Sequence, residues 1–422
     1  MTSHHRYRTQ TRALMAGALA TILAAVPARA DAQNAVLEWN EIATQLIVVG
    51  SQSPVQQTRL MAIVHVAMHD AVSGITGEYK QYMPAAPGQA ATSSEAAAIG
   101  AAHRALQGAV GDSTSLANRF AQSLAAHGLS PSDPSVRFGE TVADGILARR
   151  QNDGASEAIF AYTPPDAGAL GVWVPLPGQT SLLPGWGNVT PFVLREASQF
   201  RPPPPPPLES AKYARDYTEV QRVGGSVSSM RTAEQSQIAQ FWRASPTALW
   251  NPLLRHALIT RGDDLSSMAR VMALFYLAGS DASVACWEAK YVYNFWRPQA
   301  AIARGAEDGN DGTIGDPTWR SNIMTPPHPD YLSGHTANSG AMAFVLQSVF
   351  GDNPGYIIEA TSSTAPGFVR RWQTFSEGVD EVIDARVYSG IHFRTADVLG
   401  ARQGRQVAQF VLTHALKPST GR

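Results

Sequence analysis

The chain has 422 residues, 44% of them hydrophobic, enough to bury a large core in one big domain or two integrated ones. Lysine and arginine number 33 against 34 aspartates and glutamates, so the formal net charge is −1, and charged residues make up only 16% of the chain. This balance excludes extensive disorder and a broad basic surface for a nucleic-acid backbone, and leaves small, locally held anions as the ionic ligands to look for.

The first element is a targeting signal over residues 1–30. His4, His5, Arg6, Arg8 and Arg12 form a cationic lead, residues 13–26 are a short apolar run, and Ala28-Arg29-Ala30 gives a small-x-small cleavage pattern before Asp31. The run is too short for an ordinary membrane span. No later stretch reaches spanning length, so the expected mature protein is soluble and secreted or periplasmic. Cys286 is the only cysteine, which rules out an internal disulfide even in an oxidising compartment. It lacks a local histidine partner and reads as a buried core residue.

Residues 31–161 form a helical region. The stretch 55–75 places Leu60, Ile63, Val64, Ala67, Met68, Ala71 and Val72 on one apolar face and ends near Gly74. Stretches 93–110, 113–129 and 133–154 show the same period. His65 and His69 are four apart and followed by Asp70, a spacing able to bind a metal, but no third ligand cluster accompanies them and a packed helical role is favoured. From 162 to 207 the text turns to Pro, Gly and Trp and ends in six prolines, a stiff polyproline spacer acting as connector or lid. Trp173 and Trp186 would line a pocket mouth or anchor this long segment.

Residues 208–422 return to helical period, at 208–225, at 232–244 with Thr232 and Gln235 as a capping box, and over the long apolar segment 264–298. Strand alternation is scarce. The predicted fold is all-α, two helical halves built as bundles and joined by the connector.

Three stretches of this second half carry chemistry. Lys290 and Arg297 are seven apart, within about 20° of each other on a helix, so both cations can converge on one anion. Pro298 disfavours helical geometry at Arg297 and places the guanidinium near an opening. The stretch PPHPDYLSGHTANSG (326–340) starts a helix with Ser333 as N-cap. Its free N–H groups at Gly334 and His335, with the Ser333 hydroxyl, make an anion cradle. A serine nucleophile fits less well, since His335 is only two residues away and the glycine-flanked elbow of hydrolases is missing. In DARVYSGIHFRTAD (384–397), Arg386 and His392 bracket Ser389-Gly390, small residues that could let a ligand approach.

Together these stretches resemble the vanadium-dependent haloperoxidase and type 2 phosphatidic acid phosphatase superfamily. Its pattern is Lys-x6-Arg-Pro, Pro-Ser-Gly-His and Ser-Arg-x5-His-x3-Asp, here KYVYNFWRP, LSGH and ARVYSGIHFRTAD. The likeness is strongest over 264–405. The N-terminal helix LMAIVHVAMHDAV and the FRPPPPP connector also look like the secreted bacterial haloperoxidase branch.

The resemblance implies that Lys290, Arg297 and Arg386 hold equatorial oxygens of vanadate or phosphate, with Ser333 and the Gly334 N–H adding hydrogen bonds. It makes His392 the axial vanadium ligand or a phosphohistidine nucleophile, and His335 the general acid or base. The implied activity is halide oxidation with hydrogen peroxide at vanadate. His328, seven residues before His335 where bromide-oxidising relatives carry histidine, points to bromide or iodide rather than chloride.

A secreted acid phosphatase acting on small phosphate esters, which needs no cofactor, is the alternative. A non-catalytic oxyanion-binding protein is the second. The oligomeric state is open, a homodimer among the options. Three positions depart from the pattern: Leu332 for proline, Ala385 for serine, and Ala396 at the aspartate position with Asp397 one residue late. Glu288, Asp384 or Asp397 would then have to orient His392.

Overall fold

A computed structural model describes residues 34–50, 52–228 and 230–419. The targeting signal expected over residues 1–30 lies outside the described residues. The N-terminal helices are α1 (Ala35–Ala43), α2 (Pro54–Thr76), α3 (Ser94–Val110), α4 (Thr114–Ala126) and α5 (Pro134–Arg150). Each start has a local cause. Asn34, Ser93, Ser113 and Asp133 accept first-turn N–H groups of α1, α3, α4 and α5, and proline opens α2 and α5. Glycine closes α2, where Gly77 adopts φ 67°.

After the connector come α6 (Ala211–Val223), α7 (Ala233–Phe241), α8 (Pro246–Arg261), α9 (Leu265–Tyr293), α10 (Pro298–Ala303), α11 (Gly334–Phe350), α12 (Phe375–Tyr388) and α13 (Arg394–His414). The Thr232/Gln235 capping box opens α7 as expected. The strands β1 (Ile358–Ala360) and β2 (Arg370–Trp372) form a small antiparallel ribbon.

The expected 264–298 helix is shorter than its apolar run. Asn294 takes the left-handed conformation at φ 46° and caps α9, and Arg297, extended because it precedes Pro298, begins α10. Lys290 and Arg297 therefore do not share a helix, and the angular argument for their convergence gives way to a tertiary one.

Helix α9 is buried along nearly its whole length and is the axis of the molecule. It packs against α2, α11 and α13, and α2 also packs on α3 and α5, so one hydrophobic core runs from Ala35 to Leu416 through both helical halves. Helices α11 and α13 cross closely enough that a Cβ on Gly340 would collide with the Ala401 carbonyl oxygen, and one on Gly404 with that of Ala337. The crossing sets the site, since α11 begins at Gly334 and α13 follows His392.

The 162–207 segment is bonded along the core. Asp281, in the middle of α9, accepts N–H groups of Phe192, Val193 and Leu194 at 2.7, 2.8 and 2.9 Å. Trp173 and Trp186 are both buried and act as anchors.

His65, His69 and Asp70 on α2 make no metal cluster. His65 Nε2 lies 2.9 Å from Asn40 Nδ2 with its ring stacked on Tyr276, His69 faces the Lys80 carbonyl, and Asp70 accepts the N–H groups of Tyr82 and Met83. No group of three or more candidate metal ligands occurs among the described residues. No described helix is long and apolar enough to cross a membrane.

Gly404→Ala should lower the unfolding free energy by about 1–3 kcal/mol through overpacking, read from denaturant unfolding. A variant as stable as the parent would mean that α11 and α13 do not cross at this glycine. Burial lowers the pKa of His65 to about 3 and of His69 to about 4, against 6.5 for a free ring. The unfolded chain therefore binds more protons between pH 4 and 6.5. The stability these neutral rings contribute is fully present above pH 6.5 and lost as pH falls through that window. Thermal unfolding between pH 7.5 and 4.5 should show this loss, and His69→Gln should flatten the slope. An unchanged slope would remove His69 from the account.

Candidate functional site

Four segments meet at the end of α9. Lys290 enters from its last turn, fully buried, and donates from Nζ to the carbonyls of Pro329 at 2.7 Å and Asp330 at 3.0 Å. Arg297 enters from the start of α10 and is 1% exposed. Its Nε donates to the His328 carbonyl at 2.8 Å and its Nη1 to the Ile391 carbonyl at 2.6 Å. The same Nη1 lies 3.1 Å from His392 Nε2, and Nη2 lies 2.8 Å from His328 Nδ1. One guanidinium thus binds the loop before α11 to the turn before α13.

Ser333 is the backbone N-cap of α11, but its hydroxyl does not cap the helix. Burial pushes the nearby Asp397 carboxyl well up, and the Ser333 hydroxyl acts on it in the opposite direction. The approach falls short of a well-aligned hydrogen bond, since the Ser333 hydroxyl and both Asp397 oxygens have no partner. Gly334 opens α11, and a Cβ there would meet the Trp287 indole at 2.9 Å. His335 Nε2 faces the Ala244 carbonyl at 3.2 Å. Arg386, in the last turn of α12, donates from Nη1 to the Trp242 carbonyl at 2.8 Å, and its buried Nε has no partner.

The structure therefore brings together all eight residues singled out in the sequence: Lys290, Arg297, His328, Ser333, Gly334, His335, Arg386 and His392. Their mutual influence follows from proximity. Burial first, and then the surrounding cations, hold His328, His335 and His392 well below the ordinary histidine value, so the three rings are neutral. Burial lowers Lys290 to about 7 and Arg297 and Arg386 to about 10.

Tautomers follow from the partners. A guanidinium only donates, so His392 Nε2 accepts; His328 Nδ1 lies 2.8 Å from Arg297 Nη2 and 3.3 Å from the Pro329 carbonyl, and the shorter contact makes it an acceptor as well. A carbonyl only accepts, so His335 carries its proton on Nε2 and leaves Nδ1 as a free base.

Two expectations are corrected. The small residues Ser389 and Gly390 do not open a path for a ligand. Gly390, at φ 74°, admits the close approach of the Gly224 backbone, and the Ser389 hydroxyl bonds back to the Ala385 carbonyl at 2.6 Å. None of Glu288, Asp384 and Asp397 reaches His392: Glu288 pairs with Arg201, Asp384 pairs with Arg394, and Asp397 lies against Ser333. The carboxylate beside the imidazole is Asp330, with Oδ1 2.9 Å from Nδ1. Sequence reasoning passed over it. The available signal was a single acid inside the Pro-rich run PPHPDY, where an unpaired charge would be costly.

The 162–207 segment reinforces these loops from outside. Trp173 N donates to the Asn294 carbonyl and Trp296 N to that of Gly171, at 2.8 and 2.9 Å. Leu182 N donates to the Pro327 carbonyl at 2.7 Å, and the Tyr331 hydroxyl to that of Pro203 at 2.6 Å.

Comparison with known proteins agrees with this geometry. Residues 270–421 match the family model described as the VCPO second helical-bundle domain. Vanadium chloroperoxidase of Curvularia inaequalis is 25% identical over 274 residues, a match spanning 54% of this chain but only 45% of that protein. A bacterial vanadium-dependent iodoperoxidase structure is 27% identical and superposes with a TM-score of 0.79, covering 92% of this chain and 98% of the other. The holo form of a bacterial vanadium-dependent chloroperoxidase superposes with a TM-score of 0.70 at 18% identity, over 90% of this chain and 98% of the other, a likeness of fold alone. Residues 270–421 thus carry the helical-bundle domain of the vanadium chloroperoxidase family model, and the chain as a whole is similar in fold to bacterial vanadium haloperoxidases.

Proposed function

We propose that the protein is a vanadate-dependent haloperoxidase that oxidises bromide or iodide with hydrogen peroxide. The observation that carries this is the convergence of three buried cations and an unprotonated His392 Nε2 on the start of α11. The donor set fits a tetrahedral oxyanion: the Ser333 hydroxyl and Arg386 Nε are buried without partners, and they stand near the helix N-terminus that opens at Gly334. Lys290, Arg297 and Arg386 would hold oxygens of vanadate, Ser333 and the Gly334 N–H would add hydrogen bonds, and His392 Nε2 would be its nitrogen donor. Vanadate held there supplies the Lewis acidity that activates peroxide toward a halide.

The protein's own groups do the rest. The cations stabilise negative charge on the equatorial oxygens, and an anion in turn offsets the cost of keeping three positive charges out of water. His335 Nδ1 is free to take up and return a proton. His328 lies between Arg297 and the Trp287 indole, 4.9 Å from ring to ring, where it can tune the halide that approaches. The resemblance to the iodoperoxidase supports halide oxidation. Export is proposed from the signal-like composition of residues 1–30.

Full-length protein freed of phosphate and loaded with orthovanadate should oxidise bromide and iodide with peroxide. Added phosphate should suppress this, and His392→Ala should bring it to background. Hydrolysis of p-nitrophenyl phosphate by the vanadate-free protein with no halide oxidation would make it a phosphatase instead. Phosphate and vanadate binding without either turnover would leave an oxyanion-binding protein. A charged hydrogen bond contributes about 1.5–3 kcal/mol. Arg386→Met should therefore weaken phosphate binding about 10- to 100-fold in calorimetry, and unchanged affinity would remove Arg386 from the cradle.

A further inference from the structure

Building on the reading of His392 as the axial group, we propose that Asp330 is its positioning residue, holding the imidazole with the proton on Nδ1 and the Nε2 lone pair turned to the cradle. Two independent contacts fix this arrangement. Arg297 Nη1, which can only donate, lies 3.1 Å from Nε2, so the proton of the neutral ring belongs on Nδ1. Asp330 Oδ1 is 2.9 Å from that Nδ1, and both side chains are shut off from solvent at 1% and 2% exposure. The approach is bent, so neither atom counts as fully hydrogen-bonded. A small turn about the soft terminal torsion of either side chain aligns the pair.

The backbone of Asp330 is itself held on both sides. Its N–H donates to the Phe295 carbonyl at 2.9 Å, two residues before Arg297, and its carbonyl accepts Lys290 Nζ at 3.0 Å. One residue thus sets the axial ring and an equatorial cation in a common frame. This arrangement replaces the one implied by the superfamily pattern, in which an aspartate follows the histidine on the same stretch. Here that position is Ala396, and Asp397 is turned to Ser333. The orienting carboxylate has moved from the start of α13 to the loop before α11.

The test uses full-length protein with 15N-labelled histidine, freed of phosphate. The ring nitrogen spectrum of wild-type His392 should show Nδ1 protonated and Nε2 not; the opposite tautomer would overturn the proposal, whether or not any variant folds. Asp330→Asn should mix the tautomers and weaken orthovanadate binding in calorimetry by about 10- to 100-fold, the usual cost of losing a partner behind a ligand. Asp330→Glu should recover part of the affinity, and Asp384→Asn should leave it unchanged. Wild-type tautomer and affinity in Asp330→Asn would sink the positioning role. Failure of the wild type itself to bind vanadate would count against the haloperoxidase reading, while the ring spectrum would still decide the role of Asp330.

Discussion

The site depends on one buried guanidinium. Arg297 sits at 1% exposure with four of its five donors directed to the backbone of His328 and Ile391 and to the rings of His328 and His392. A charge in that position must be solvated by the protein, because leaving it unpaired in a low-dielectric interior costs several kcal/mol. Meeting that requirement forces the loop before α11 and the turn before α13 to approach from opposite sides, and this approach assembles the cradle. The same contacts fix a tautomer, since a partner that can only donate dictates that His392 Nε2 keeps its lone pair.

Around this centre, burial is the main electrostatic actor. It lowers the pKa of Lys290 and the three histidines and raises those of Asp330 and Asp397, and nearby charges modify the result. Neutral imidazoles beside positive guanidiniums give lone pairs and hydrogen-bond donors at the same place, the combination needed to hold an oxyanion through its oxygens and through its central atom. Rigidity comes from outside the site. The 162–207 segment has little regular structure, yet it bonds to the loops on both sides of Arg297 and is held to α9 by three N–H groups on Asp281. Its irregular backbone suits a task in which carbonyls and N–H groups face several different loops.

Much of the helical framework was legible in the sequence because its causes are local. The Thr232/Gln235 box acts within a few residues and opens α7 where expected, and the helix expected over 55–75 is α2, although its stop is Gly77 rather than Gly74. Where a boundary depended on a neighbour it was missed: α9 ends at Tyr293, four residues before Arg297, with the following backbone paired to Gly171 and Trp173. Likewise Gly390 looked like room for a ligand and is room for the Gly224 backbone, which only the packing of α6 against α12 makes visible.

The sequence by itself determined the all-α class and singled out the residues proposed for the cradle, because capping, helical period and motif spacing are properties of neighbours along the chain. Only the tertiary structure decided what stands behind them. Lys290 and Arg297 converge across a helix end rather than along a helix face, and the carboxylate at His392 is Asp330, 62 positions earlier in the chain, rather than any acid near it in sequence. Spacing cannot carry that information. A side chain's partner in a buried site is chosen by which segments the core presses together, and in this molecule α9, α11 and α13 press together residues that lie far apart along the chain.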